Sequence, residues 1–134
     1  MTAEDCCEET AATCGCRAEN SILLPCSGGS NCGQLANQAA VSLDALGVGR
    51  IYCQAGIAAH IDGMVESARG AERLLALDGC QVACARKTAE HAGLKVTDWI
   101  CVTGEGISKN HNLSLDKEEV EFITRRAKEL LSGI

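Results

Sequence analysis

Aromatic side chains are nearly missing from this chain. They make up 2% of its 134 residues, namely Tyr52, Trp99 and Phe122. A core without them has to be built from Leu, Ile, Val and Ala, with Cys as a small apolar filler. An excess of positive charge is also absent: 12 Lys and Arg stand against 18 Asp and Glu, a formal net charge of -6. That argues against a general nucleic-acid binder, which needs Lys and Arg gathered on one face. Even Arg125-Arg126 is flanked by Glu121 and Glu129. No apolar run approaches membrane-spanning length, so no membrane partner is expected. The start, Met1-Thr2-Ala3-Glu4-Asp5-Cys6-Cys7, is acidic and lacks the apolar stretch of a secretory signal. The expectation is a cytoplasmic protein.

Cysteine, by contrast, is abundant, at ten residues. In a reducing cytosol cysteines more often bind metal or do redox chemistry than staple a fold. The remaining composition, 46% hydrophobic and 22% charged, is that of an ordinary globular chain long enough for one domain with a proper core.

Two regions differ in composition. Residues 1–20 hold Cys6, Cys7, Cys14 and Cys16 among acidic residues, with no Leu, Ile, Val or aromatic residue. Such a leader buries little, and it is either a soft-metal site or a flexible tail. Residues 21–134 read as a single α/β domain. Ser21–Pro25 is a short apolar strand, followed by the glycine-rich loop Cys26–Gly33 and a helix over Gln34–Leu46. Gly49–Cys53 is a second strand, Gln54–Ala59 a loop, and Ile61–Arg69 a short helix. Leu74–Leu77 is uniformly apolar, as in a parallel strand covered on both faces. A turn at Gly79 leads into a helix over Val82–Ala92 that buries Val82, Ala85 and Ala89. Val96–Val102 is the fourth strand, with Cys101 in the core. Asp116 can cap the last helix, with Glu119 three residues on and Leu115 stapled to Val120. The alternating order predicts a small Rossmann-like three-layer sandwich around a four-stranded parallel sheet.

In such sheets ligands bind beyond the carboxyl ends of strands, where the strand order reverses. Cys26, Cys53 and Cys80 each follow a strand. In the order 2-1-3-4 those three ends are neighbours, and Cys84 joins them from the next helix. Four thiolates there could hold one zinc ion in a tetrahedron. Cys80 is expected at the helix start, where the dipole favours a thiolate, with Cys84 on the same helix face. Asp78 is read as an acceptor for turn N–H groups. His60 is a candidate fourth ligand or proton carrier, or a plain surface residue. His91 carries no assigned role and His111 no evident partner. Lys109 could face the site. The loop Cys26–Asn31 could also cradle an anion before a helix. However, Cys32 stands where a Cys-x5-Arg phosphatase loop would have its arginine, so phosphatase chemistry is disfavoured. A redox pairing of Cys26 with Cys32 remains open.

Several motifs together resemble the DGC-domain proteins, a cysteine-rich prokaryotic family described as zinc-binding. They are Pro25-Cys26-Ser27-Gly28-Gly29-Ser30, Gly33-Gln34-Leu35-Ala36-Asn37-Gln38-Ala39-Ala40, Tyr52-Cys53-Gln54-Ala55-Gly56-Ile57, Leu77-Asp78-Gly79-Cys80 with Cys84-Ala85, and Gly106-Ile107-Ser108-Lys109. The resemblance runs from about residue 22 to the C-terminus. It implies that Cys26, Cys53, Cys80 and Cys84 are the family's cysteines. The expected function is therefore zinc or soft-metal binding. The alternative is a thiol enzyme acting on a sulfur, selenium or arsenic oxyanion, with Cys80 or Cys26 as nucleophile.

Overall fold

The computed structural model describes residues 21–133. The leader cysteines Cys6, Cys7, Cys14 and Cys16 lie outside the described residues. The elements in chain order are β1 (Ser21–Pro25), α1 (Asn31–Ala45), β2 (Arg50–Ile51), α2 (Gln54–Ala58), α3 (Asp62–Arg69), β3 (Arg73–Asp78), α4 (Cys84–His91), β4 (Asp98–Cys101) and α5 (Lys117–Ser132), with a 3-10 turn at Thr103–Glu105. The four strands form one parallel sheet, as the sequence predicts, and their order is β2-β1-β3-β4. β1 and β3 pair over their full length, Leu23 opposite Leu75 and Leu24 opposite Ala76.

Side chains alternate across the pleat, so these two central strands feed two separate cores. Leu23, Leu75 and Leu77 pack with Leu35 and Leu43 of α1 and Ile123 of α5. Ile22, Leu24 and Leu74 pack on the other face with Ile57 of α2, Val65 of α3 and Ala89 of α4. The layers are therefore α1 and α5, the sheet, and α2, α3 and α4. Fully buried Ala36, Ala39 and Ala40 let α1 approach the sheet closely, which offsets the shortage of large aromatic rings. None of the described helices is long and apolar enough to cross a membrane.

Several elements depart from the sequence reading, and β4 is one of them, running over Asp98–Cys101 and not Val96–Val102. α1 begins at Asn31, three residues early, because Ser30 caps it and its hydroxyl accepts the Gly33 N–H at 3.0 Å. Cys32 thus belongs to a helix, not to the glycine loop. The stretch expected to be a loop after β2 is the short helix α2, capped by the sulfur of Cys53. β2 itself is only two residues long. α4 begins at Cys84, not Val82, because Ala83 takes a left-handed conformation at φ 57°. Val82, expected in the core, is consequently 56% exposed. α5 starts as expected: Asp116 accepts the Glu118 N–H at 2.9 Å, and Leu115 and Val120 both pack against the same core.

Candidate functional site

From β1 the chain moves through α1 to β2 on one side, and from β3 through α4 to β4 on the other. The topological switch point therefore lies between the carboxyl ends of β1 and β3. A crevice of about 170 Å³ opens there, lined by Cys26, Gly28, Ser30, Gly33, Asp78, Gly79, Cys80, Cys84 and Lys109 among others. The β1–β3 pairing continues to its floor, where Cys26 N–H donates to Leu77 O at 2.7 Å.

Cys26 sits half-buried at the mouth of the glycine loop. The backbone N–H groups of Gly28 and Gly79 lie near its sulfur and favour the thiolate. Burial pushes this thiol above its ordinary pKa. The two N–H groups pull it back only in part, and the negative fields of Asp78 and Cys84 push it further up. The loop thus serves its own sulfur. The amides at the α1 start are also engaged, Asn31 N–H by Asn110 O at 3.0 Å and Gly33 N–H by Ser30 Oγ. Ser30, Asn31 and Gly33 thus spend their N–H groups inside the protein, which leaves fewer of the loop's amides to cradle an anion.

Cys80 lies in the turn between β3 and α4, not at a helix start, so it and Cys84 do not share a helix face as expected. The cause is Asp78. This carboxylate, 1% exposed, reaches past the turn and caps α4 from outside, accepting Ala85 N–H at 2.7 Å and Arg86 N–H at 3.1 Å. Trp99 Nε1 donates to it at 2.9 Å. Asp78 is an N–H acceptor as expected, though for a helix start seven and eight residues on. Cys84 becomes the first residue of α4, exposed on the crevice rim. Lys109 does face the site, its Nζ donating to Cys80 Sγ at 3.6 Å.

The remaining candidates lie elsewhere. Cys53 is exposed at the α2 start, where its sulfur accepts Gly56 N–H at 3.3 Å, and it does not line the crevice. The four cysteines thus divide three and one. Cys32 is fully buried beside Ile107 O, and burial, then the charge of Glu119, raises its pKa. Cys101 is buried as expected, near Gln81 and Thr103. His60 pairs with His91 and does not line the crevice. His111 has a partner after all, Gly29 O at 2.9 Å from its Nδ1.

Asn31 is the residue that sequence reasoning missed. Its amide donates to Ser108 O at 2.9 Å and accepts Asn110 N–H at 2.7 Å, so it grips the backbone on both sides of Lys109. Partners 77 and 79 residues apart leave no local signal in the chain.

As donors, three thiols suit a soft metal ion better than a hard one. Both oxygens of Asp78, the neighbouring carboxylate, are already committed to N–H groups. Among the described residues, no three His, Cys, Asp or Glu side chains are grouped closely enough to hold a metal ion. Zinc–sulfur bonds of ~2.3 Å would require the crevice thiols to turn inward.

The DGC domain matches residues 22–127. Among curated proteins, the chain is 28% identical over 111 residues to the "Anaerobic and virulence modulator AnvM" of Pseudomonas aeruginosa. That alignment covers 83% of this chain and 85% of the relative. No solved structure matches the chain.

Proposed function

The chain belongs to the DGC-domain family, and on that premise we propose that it is a cytoplasmic thiol protein that binds a soft metal ion, zinc foremost. Cys26, Cys80 and Cys84 would hold the ion, and Cys53, at the start of α2 just after the adjacent strand β2, is the candidate fourth donor. The observation that carries this reading is the meeting of three thiols and one ammonium at a single switch-point crevice. When bound, zinc would supply a closed structural centre with four thiolates, or a Lewis-acidic centre with an open position if only three bind.

The protein's own groups have separable tasks in this reading. Cys26 is held as a thiol by burial, so binding has to displace its proton. Its two backbone donors then remain to stabilise the sulfur. Lys109 offsets part of the negative charge that several thiolates would bring together. Asp78 holds the start of α4 so that Cys84 stays on the rim. The described cysteines are all free, which suits a reducing compartment. The relative's name ties that protein to anaerobic modulation, a setting in which free thiols persist.

One contact favours a second reading, a thiol enzyme. Cys80 is the crevice sulfur with a cationic partner, an arrangement that also complements a bound oxyanion. The two readings part on anaerobic purification followed by elemental analysis of the full chain, of Cys80→Ser, and of a variant with Cys6, Cys7, Cys14 and Cys16 all changed to Ser. Metal lost with Cys80→Ser and kept without the leader thiols supports the crevice site. Metal lost only with the leader thiols moves the site there. A metal-free protein that forms a reversible disulfide through Cys80 overturns metal binding in favour of thiol chemistry.

A further inference from the structure

Away from the crevice, two imidazoles from different elements face each other. His60 Nε2 lies 3.1 Å from His91 Nδ1, with the rings at 78°. His60 follows α2 and His91 is the last residue of α4. We propose that this pair is a bidentate site for a borderline divalent transition-metal ion of the zinc or nickel class, separate from the thiol crevice.

Three observations carry it. First, two nitrogens bound to one ion at ~2.1 Å stand ~3.0 Å apart at adjacent corners of an octahedron and ~3.4 Å apart in a tetrahedron. The observed separation falls between these values, so the two nitrogens already stand at bite distance, and on binding the rings would turn until both lone pairs point at the ion instead of along the line between the nitrogens. Second, His60 is held in the left-handed region at φ 56°, a conformation that costs a non-glycine residue energy. That turn is the stop of α2, fixed by His60 N–H on Ile57 O at 3.0 Å and Ile61 N–H on Gly56 O at 3.1 Å, and it sets His60 down beside His91. Third, both rings are exposed and border a shallow depression with Thr88 and Lys87, so solvent ions can enter. Thr88 offers an oxygen. The Lys87 ammonium opposes a cation, so micromolar rather than tight binding is expected. The site does not depend on the crevice reading, because it shares no residue with it.

Nickel(II) is a suitable probe, added to the full chain after its accessible thiols have been carbamidomethylated. The chain has three histidines, so His111 is an internal control. Substoichiometric nickel should broaden the imidazole NMR signals of His60 and His91 and leave those of His111 sharp. His91→Gln and His60→Asn should each weaken binding at least tenfold by calorimetry. Asn is chosen at position 60 because it tolerates the left-handed backbone. Equal broadening of all three histidines, or unchanged affinity in both variants, would overturn the proposal. Unchanged far-ultraviolet circular dichroism in the variants separates loss of the site from loss of the fold.

Discussion

Asn31 and Asn110 exchange two hydrogen bonds across the molecule: Asn110 N–H donates to Asn31 Oδ1 at 2.7 Å, and Asn31 N–H donates to Asn110 O at 3.0 Å. With the Asn31 amide also on Ser108 O, this pairing ties the loop after β4 to the start of α1. Lys109 is thereby held over the crevice. A lysine on an untied loop would sample many positions, and its contact with Cys80 would be lost to entropy.

Asn31→Ala is expected to cost about 1–3 kcal/mol, because it leaves the Ser108 carbonyl and the Asn110 N–H without their partner. Urea unfolding measures this cost. The same variant should bring the alkylation rate of Cys80 to that of Lys109→Gln. A Cys80 rate unlike that of Lys109→Gln would show that Asn31 does not position the lysine.

Asp78→Ala should destabilise the fold by at least about 2 kcal/mol, since it uncaps α4 and unpairs the Trp99 indole. Trp99 is the sole tryptophan, so its fluorescence reports the change directly. Asp78→Asn keeps one carbonyl acceptor and should fall between the two. Its emission should shift less than that of Asp78→Ala.

What the sequence revealed and what it hid follow from the range of the interactions. β1 and β3 were legible because Ile22–Leu24 and Leu74–Leu77 are apolar on both faces. The parallel sheet followed from alternation of elements, whereas the order β2-β1-β3-β4, which puts Cys26 and Cys80 at one rim, was only a supposition that the structure bears out. The start of α5 was legible because its cap, Asp116, is adjacent to it. The start of α4 was not, because its cap is Asp78 and the intervening Ala83 turns left-handed, which few alanines do. α2 was hidden by its five-residue length and by a sulfur in the cap position. Cys53 therefore looked like a crevice residue from its strand, while its side chain serves a helix. The grip of Asn31 on the Lys109 loop depends on tertiary contacts alone.

Gly79→Ala tests the close approach that puts Cys80 beside α1. A Cβ there would lie 2.6 Å from Gly33 N and 2.8 Å from Cys32 C, both backbone atoms that cannot swing aside. The expected result is destabilisation of about 1–3 kcal/mol or failure to fold. Gly29→Ala is the matched control in the same crevice: a Cβ there meets nothing within 4 Å, so stability should change by less than about 0.5 kcal/mol.

The pH dependence of stability should have a limb on each side of neutrality, and the signs follow from three groups. Burial raises the thiols of Cys26 and Cys32 in the folded state. Between their unfolded and folded values the unfolded chain has lost protons that the folded chain keeps. Their contribution is therefore complete below the unfolded thiol value of about 8.5 and is lost as pH rises through the folded values. On the acid side, burial alone would raise Asp98, but hydrogen bonds from Arg73 and Thr97 and the Arg73 charge outweigh it and hold the carboxyl below its ordinary value. That contribution is present above the unfolded carboxyl value of about 3.9 and disappears as pH falls through the lower folded one. Urea midpoints, measured with reductant from pH 2 to pH 11, should fall at both ends. Cys26→Ala should flatten the alkaline limb and leave the acid limb alone, while Asp98→Asn should do the reverse. An alkaline limb unchanged by Cys26→Ala would mean that this sulfur is not held neutral by the fold, and metal uptake at the crevice would then not have to compete with its proton.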